Sequence, residues 1–148
     1  MGLTGERDAH TGEYLQSKLV ALEPPHADVR GHIQALVNVP VHNVSLIESK
    51  KGTVRSNHYH KTDWHYIYVI SGALDYYFRR HGSTDEVQQF SAKAGDMIWT
   101  PPLEDHTTVF TQDTAILALS LLPRDQQAYE SDVVRIVLVD PQTLKLVA

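Results

Sequence analysis

The chain reads as an all-β domain, and three features carry that reading. Apolar and β-branched residues recur in short runs with two-residue alternation, the spacing of a half-buried strand. Little of the chain repeats with helical period. Turn formers interrupt the runs in SKKGT, ISGA, HGSTD, KAGD and TPPLED, where glycine supplies backbone freedom and proline excludes a central ladder position. At 148 residues the chain fits one domain with one real core. So many short strands in so small a body favour a closed barrel or a sandwich, which hides the sheet edges.

In chain order, residues 1–30 form an N-terminal arm. Within it TGEYLQSKLVAL, residues 11–22, suits an edge strand or a short helix, and its apolar spacing does not decide between them. Residues 31–122 make the barrel core. Its strands are predicted over 32–38 (HIQALVN), 43–49 (NVSLIES), 54–60 (VRSNHYH), 65–71 (HYIYVIS) and 73–79 (ALDYYFR), then over 86–91 (EVQQFS), 96–100 (DMIWT), 106–111 (HTTVFT) and 114–121 (TAILALSL). Residues 123–148 form a C-terminal strand or arm, with a strand over 133–139, that packs on the barrel or on a partner subunit. DQQAY at 125–129, polar and close to Pro123, is an excursion ahead of it.

Composition removes several classes of function. The formal charge is −5 and no Lys/Arg run exceeds a pair, so no extended basic face exists for nucleic acid or anionic lipid. With no cysteine, disulfides, thiolate nucleophiles and zinc–thiolate knots are excluded, and any metal must be held by nitrogen and oxygen. The polar amino terminus and the absence of a long apolar run lead to an expected cytoplasmic location.

The histidines are the strongest chemical signal. His58 and His60 are two apart, so on a strand both rings leave the same face. Alone, such a pair is as well read as two solvated side chains. His65 follows a four-residue turn, KTDW, with His65, Ile67 and Val69 expected on one side of the next strand and Tyr66, Tyr68 and Ile70 on the other. His106 opens a further strand, from which a fourth nitrogen can reach across a barrel.

These spacings resemble those of the cupin superfamily. Gly52, His58, His60, His65 and Gly72 match its first motif, G-x5-H-x-H-x4-E-x6-G, with His65 where the family has Glu. Gly95, Pro101, His106 and Phe110 follow its second, G-x5-P-x-G-x2-H-x3-N, with Leu103 in place of Gly and Phe110 in place of Asn. The resemblance implies a cupin-type double-stranded β-helix, or jelly-roll, barrel holding a metal at His58, His60, His65 and His106. Four neutral imidazoles would leave the ion its full double charge. That donor set suits zinc, nickel or iron, with copper or manganese behind them. Alternatives are that His65 bonds a ligand and three nitrogens hold the metal, or that the pocket is metal-free.

Arg55, His58 and His60 in VRSNHYHK also resemble the RxxHxH segment of cupin domains in capsular polysaccharide biosynthesis and of oxalate-decarboxylase-like cupins. An arginine there would clamp carboxylate or phosphate. Simple alternation sets Arg55 opposite His58 unless a bulge intervenes. One of Tyr76 and Tyr77 should face inward and serve as a proton donor. Trp99 and Phe110 are expected as substrate-binding or core walls, and Trp64 as a lid or a packing residue. The leading expectation is a metal-dependent enzyme that isomerises or epimerises a sugar, sugar nucleotide or keto acid. A metal-dependent dioxygenase and a noncatalytic small-ligand module are the alternatives. A homodimer is expected, because terminal strands can extend a neighbour's sheet.

Overall fold

The computed structural model describes residues 16–147. Their elements are β1 (Lys18–Leu19), β2 (His26–Asp28), β3 (Gly31–Ile33), β4 (Asn43–Ser49), β5 (Val54–His60), β6 (His65–Ser71), β7 (Ala73–Arg80), β8 (Gln88–Lys93), β9 (Met97–Thr100), β10 (Glu104–Phe110), β11 (Thr114–Ser120), α1 (Gln126–Asp132) and β12 (Val133–Arg135). Two five-stranded antiparallel sheets face one another, ordered β1-β9-β6-β11-β4 and β12-β5-β10-β7-β8. This is the jelly roll that the cupin resemblance implied. No helix among the described residues is long and apolar enough to cross a membrane.

Alternation decides what lies between the sheets. Ile67, Val69, Leu74, Tyr76, Phe78, Ile98, Phe110 and Ile116 point inward and form the main core. Tyr66, Met97 and Trp99 leave the opposite face of β6 and β9, where Val20, Leu22, Leu36, Val37 and Val39 cover them. Val109, Leu138 and Val139 make a third cluster on the outside of the other sheet.

The terminal regions depart from expectation. Within 11–22, only residues from Gln16 onward are described, and Lys18 and Leu19 pair with Trp99 and Ile98 as an edge strand. Instead of one strand over 32–38, β2 and β3 form a separate exposed ribbon. The chain then runs without a ladder, and Leu36 and Val37 are held by packing on the Trp99 cluster. The expected strand over 133–139 stops at Arg135 because a side chain takes over the pairing. Ile136 N–H donates to the Asn57 carbonyl at 3.0 Å, and the Leu138 amide to Asn57 Oδ1 at 3.0 Å. The excursion at 125–129 begins a helix instead. Asp125 caps α1 by accepting the Ala128 amide at 3.0 Å, in the manner of a helix N-cap.

Gly72, between β6 and β7, shows how tightly the turns are fitted. Its φ is +93°, and a Cβ there would lie 2.4 Å from the Asp113 carbonyl and 2.4 Å from Thr114 Oγ1. Gly82, with φ +78°, has open space around it. Gly82→Ala is expected to cost only left-handed strain, about 1–2 kcal/mol. Gly72→Ala adds a clash with backbone and must cost more. Chemical denaturation of the two variants checks this, and equal losses would refute the steric account.

Candidate active site

A bulge in β5 builds one wall of the site. Opposite β10, Arg55 pairs with Thr108 and His58 with His106, so residues three positions apart on β5 face residues two positions apart on β10. The extra residue is accommodated by Ser56 and Asn57, with φ of +74° and +55°. Arg55 and His58 therefore share the inner face.

The four imidazoles gather at this wall. The His58 ring centroid lies 4.8 Å from that of His60 and 4.7 Å from that of His106. His65 stands 5.4 Å from His60 and 5.5 Å from His106. One nitrogen from each of His58, His60 and His106 falls within a mutual 4.8 Å, and His65 lies outside that group.

Each ring has an oriented environment. His60 Nδ1–H donates to Asp132 Oδ2 at 3.0 Å, and His106 Nδ1–H to the Glu104 carbonyl at 2.9 Å. His58 Nδ1 and His106 Nε2 are buried without a hydrogen-bond partner among the described residues. Buried orphan nitrogens are costly unless something binds them. Together with outer carboxylate and carbonyl acceptors, they form the pattern of metal-ligating histidines. The donor set thus fits a divalent transition metal held by His58, His60 and His106.

Burial dictates the protonation states. It drives the His58 imidazole far below its ordinary range, with His106, His60, Arg135 and Arg124 adding to the effect. It likewise lowers His65, and brings His106 down to about 3. His60 is also lowered by burial, although Asp132 opposes the shift. All four rings are therefore neutral near pH 7, the form that binds metal or accepts a proton. Burial pushes Asp132 upward, but hydrogen bonds from the Thr62 hydroxyl and amide, the Asp63 amide and His60 outweigh it and keep the carboxylate charged. Asp63, mainly through burial, is raised to about 6.

A cavity of about 290 Å³ opens over His58, His60 and His65. Ile47, Ile67, Phe110 and Ile116 contribute its apolar walls, so Phe110 lies where the sequence placed it. Arg55, Arg124 and Arg135 also line it, and among the described residues no carboxylate does. Tyr129 lines it too, its ring 6.4 Å from His58 and 6.2 Å from His60.

Three expected site residues lie elsewhere. Tyr76 does face inward, but it is sealed in the core with its hydroxyl bonded to Ser17 Oγ at 2.9 Å and Thr100 Oγ1 at 2.6 Å. Tyr77 faces outward against the Val109 cluster. Trp99 is a correction of the same kind, since odd-numbered residues of β9 point away from the cavity. Trp64 packs on Trp99 at 5.3 Å rather than covering the mouth. Sequence reasoning missed Arg124, Tyr129, Asp132 and Arg135. Their one local signal was the Asp125 cap that makes 126–132 helical and sets Tyr129 and Asp132 three apart on one side.

The model of the family described as Polysaccharide biosynthesis C-terminal domain matches residues 26–124. No curated protein matches the sequence. Among solved structures, the chain is similar to a double mutant of the QdtA 3,4-ketoisomerase from Thermoanaerobacterium thermosaccharolyticum in complex with TDP. The TM-score is 0.66 at 21% identity, covering 81% of this chain and 87% of that one. The WlaRB TDP-quinovose 3,4-ketoisomerase from Campylobacter jejuni gives a TM-score of 0.65 at 18% identity, covering 78% and 95%. ChmJ, a 3'-monoepimerase from Streptomyces bikiniensis in complex with dTDP-quinovose, gives 0.61 at 17%, covering 76% and 66%. At these identities the likeness establishes the fold.

The neutral imidazoles set a pH dependence. Unfolded histidine titrates near 6.5, above all four folded values, so the unfolded chain gains protons first as pH falls. Asp63 works the other way, because its folded value exceeds 3.8 and its penalty is relieved below about 6. Four groups outweigh one. The thermal midpoint of chelator-treated protein should be highest above pH 6.5 and fall steadily toward pH 4.5 in scanning calorimetry. A midpoint that stays level or rises over that span would contradict the buried neutral cluster.

Proposed function

This chain belongs to the polysaccharide biosynthesis C-terminal domain family, and from that premise we propose that it isomerises or epimerises a nucleotide-linked keto sugar by moving a proton beside the carbonyl. One observation carries the reading: neutral imidazoles open into a cavity lined, among the described residues, by three arginines and no carboxylate. A sugar nucleotide has the complementary pattern, an anionic diphosphate joined to a polar, uncharged ring. The activities of the similar proteins, 3,4-ketoisomerases and a 3'-monoepimerase, support the same class.

In this reading His58, His60 and His106 hold one divalent transition metal, zinc, nickel or iron before copper or manganese. Bound there, such an ion polarises a carbonyl and draws negative charge onto its oxygen. Asp132 fixes His60 with Nδ1–H outward, so the remaining ring nitrogen is the one available for ligation. Glu104 does the same for His106 through its backbone carbonyl.

His65 is then the base. Its ring lines the cavity, is neutral, and has no hydrogen-bond partner among the described residues. It takes the proton from the carbon beside the carbonyl, and the C–H electron pair forms the enolate. Tyr129, whose hydroxyl also has no partner among the described residues, donates to the enolate oxygen. Return of the proton from His65 to the former carbonyl carbon, with loss of the neighbouring hydroxyl proton to Tyr129, shifts the carbonyl by one position. Ile67, Phe110 and Ile116 exclude water from the enolate.

The test is proton NMR in heavy water with TDP-4-keto-6-deoxyglucose, the ligand of one similar structure. Wild-type protein should place deuterium beside the carbonyl and accumulate an isomer. His65→Asn should slow exchange about 10²-fold or more while elemental analysis finds its metal unchanged. His58→Ala combined with His106→Ala should lose the metal. Failure of wild-type protein to exchange any TDP- or UDP-linked keto sugar would overturn the reaction, and loss of metal in His65→Asn would make that ring a fourth ligand instead of the base.

A further inference from the structure

We propose that residues 124–135 form a strap that grips the diphosphate of the ligand through Arg124 and Arg135. The proposal rests on reading the ligand as a nucleotide. Arg124 is the last residue matched by the family model, and α1 and β12 lie beyond it. Arg135 therefore lies outside the matched segment.

Both arginines line the cavity, and neither is committed elsewhere. Arg124 has no carboxylate or hydrogen-bond partner among the described residues. Its guanidinium instead rests over the Tyr129 ring, 4.7 Å from the centroid. Such a contact at an exposed site is weak compared with a charge-assisted bond to phosphate. Among the described residues the Arg135 side chain pairs with Glu130 alone, at 3.5 Å, with both side chains more than half exposed. An ion pair so placed contributes little. Arg55 differs, because Ser49 Oγ at 2.7 Å and the Glu48 carbonyl at 3.2 Å already take its donors.

The end of α1 is anchored, while the two arginine side chains are only weakly held. Asp132 accepts from the Thr62 amide and hydroxyl at 2.8 Å each, from the Asp63 amide at 3.2 Å and from His60 at 3.0 Å. Val133, Val134 and Arg135 then pair with His60, Tyr59 and His58. One cation thus precedes the helix and the other follows it, both lining a cavity that no carboxylate among the described residues lines. A diphosphate carries two anionic centres that such a pair can share. Arg124 would leave the Tyr129 ring to reach it.

Calorimetric titration of the full chain with TDP, UDP and uncharged thymidine tests the strap. Wild-type protein should bind TDP, with affinity falling as salt rises. Arg124→Gln and Arg135→Gln should each weaken TDP about tenfold or more and leave thymidine unchanged. Both side chains are exposed, so unchanged thermal midpoints should accompany the loss. TDP affinity within twofold of wild type in both variants would overturn the proposal, as would wild-type protein that binds neither TDP nor UDP. Strap-dependent TDP binding without deuterium exchange would sustain the clamp and reject the isomerase reading.

Discussion

The site depends on a single extra residue in β5. Ser56 and Asn57 both occupy the left-handed region, which costs an ordinary L-residue roughly 1–2 kcal/mol and asparagine less. The Asn57 side chain offsets that strain. Its Oδ1 accepts from Thr107 Oγ1 at 2.6 Å, from the Leu138 amide at 3.0 Å and from the Val139 amide at 3.3 Å. Its amide donates to the Val139 carbonyl at 2.9 Å. At about 0.5–1.5 kcal/mol net for each bond, the four together are of the size of the strain they offset. The same residue thus turns Arg55 inward and fastens the C-terminal segment to the barrel, so the cavity wall and the tail behind it are one construction.

Charge is segregated around that wall. The imidazoles are desolvated and kept neutral, while the carboxylate that serves them, Asp132, sits behind His60 and outside the cavity lining. The arginines are at the opening. A ligand therefore meets positive charge first and uncharged nitrogen bases deeper in, and the apolar residues that share the lining keep both effects strong by limiting water. Asp63, a second buried carboxylate near Asp132, is raised toward neutrality by its burial.

The barrel was legible because alternation survives wherever one face is buried. Ile67 and Val69 on one side of β6, with Tyr66 and Tyr68 on the other, follow it without exception. The histidines were legible for the same reason, and also because motif spacing restricts which turns can join them. Trp99 was misplaced because a strand with all four residues buried gives no polar side to reveal its orientation. Asp132 lies 72 residues from the ring it orients, and no local spacing encodes such a contact. The strand expected over 133–139 failed differently: its β-branched run is real, but a side chain on β5 supplies the hydrogen bonds that a neighbouring strand would have given.

The two tryptophans have a consequence for observing this protein. Trp64 and Trp99 are the only ones in the chain, and they stack beside Tyr66 on the outer surface of the sheet, beneath the N-terminal segment. Intrinsic fluorescence therefore reports on that outer seam and has no fluorophore of its kind in the chamber. A quench or spectral shift when a small molecule enters would mean that the sheet itself had moved, transmitting the event through its thickness to the other side.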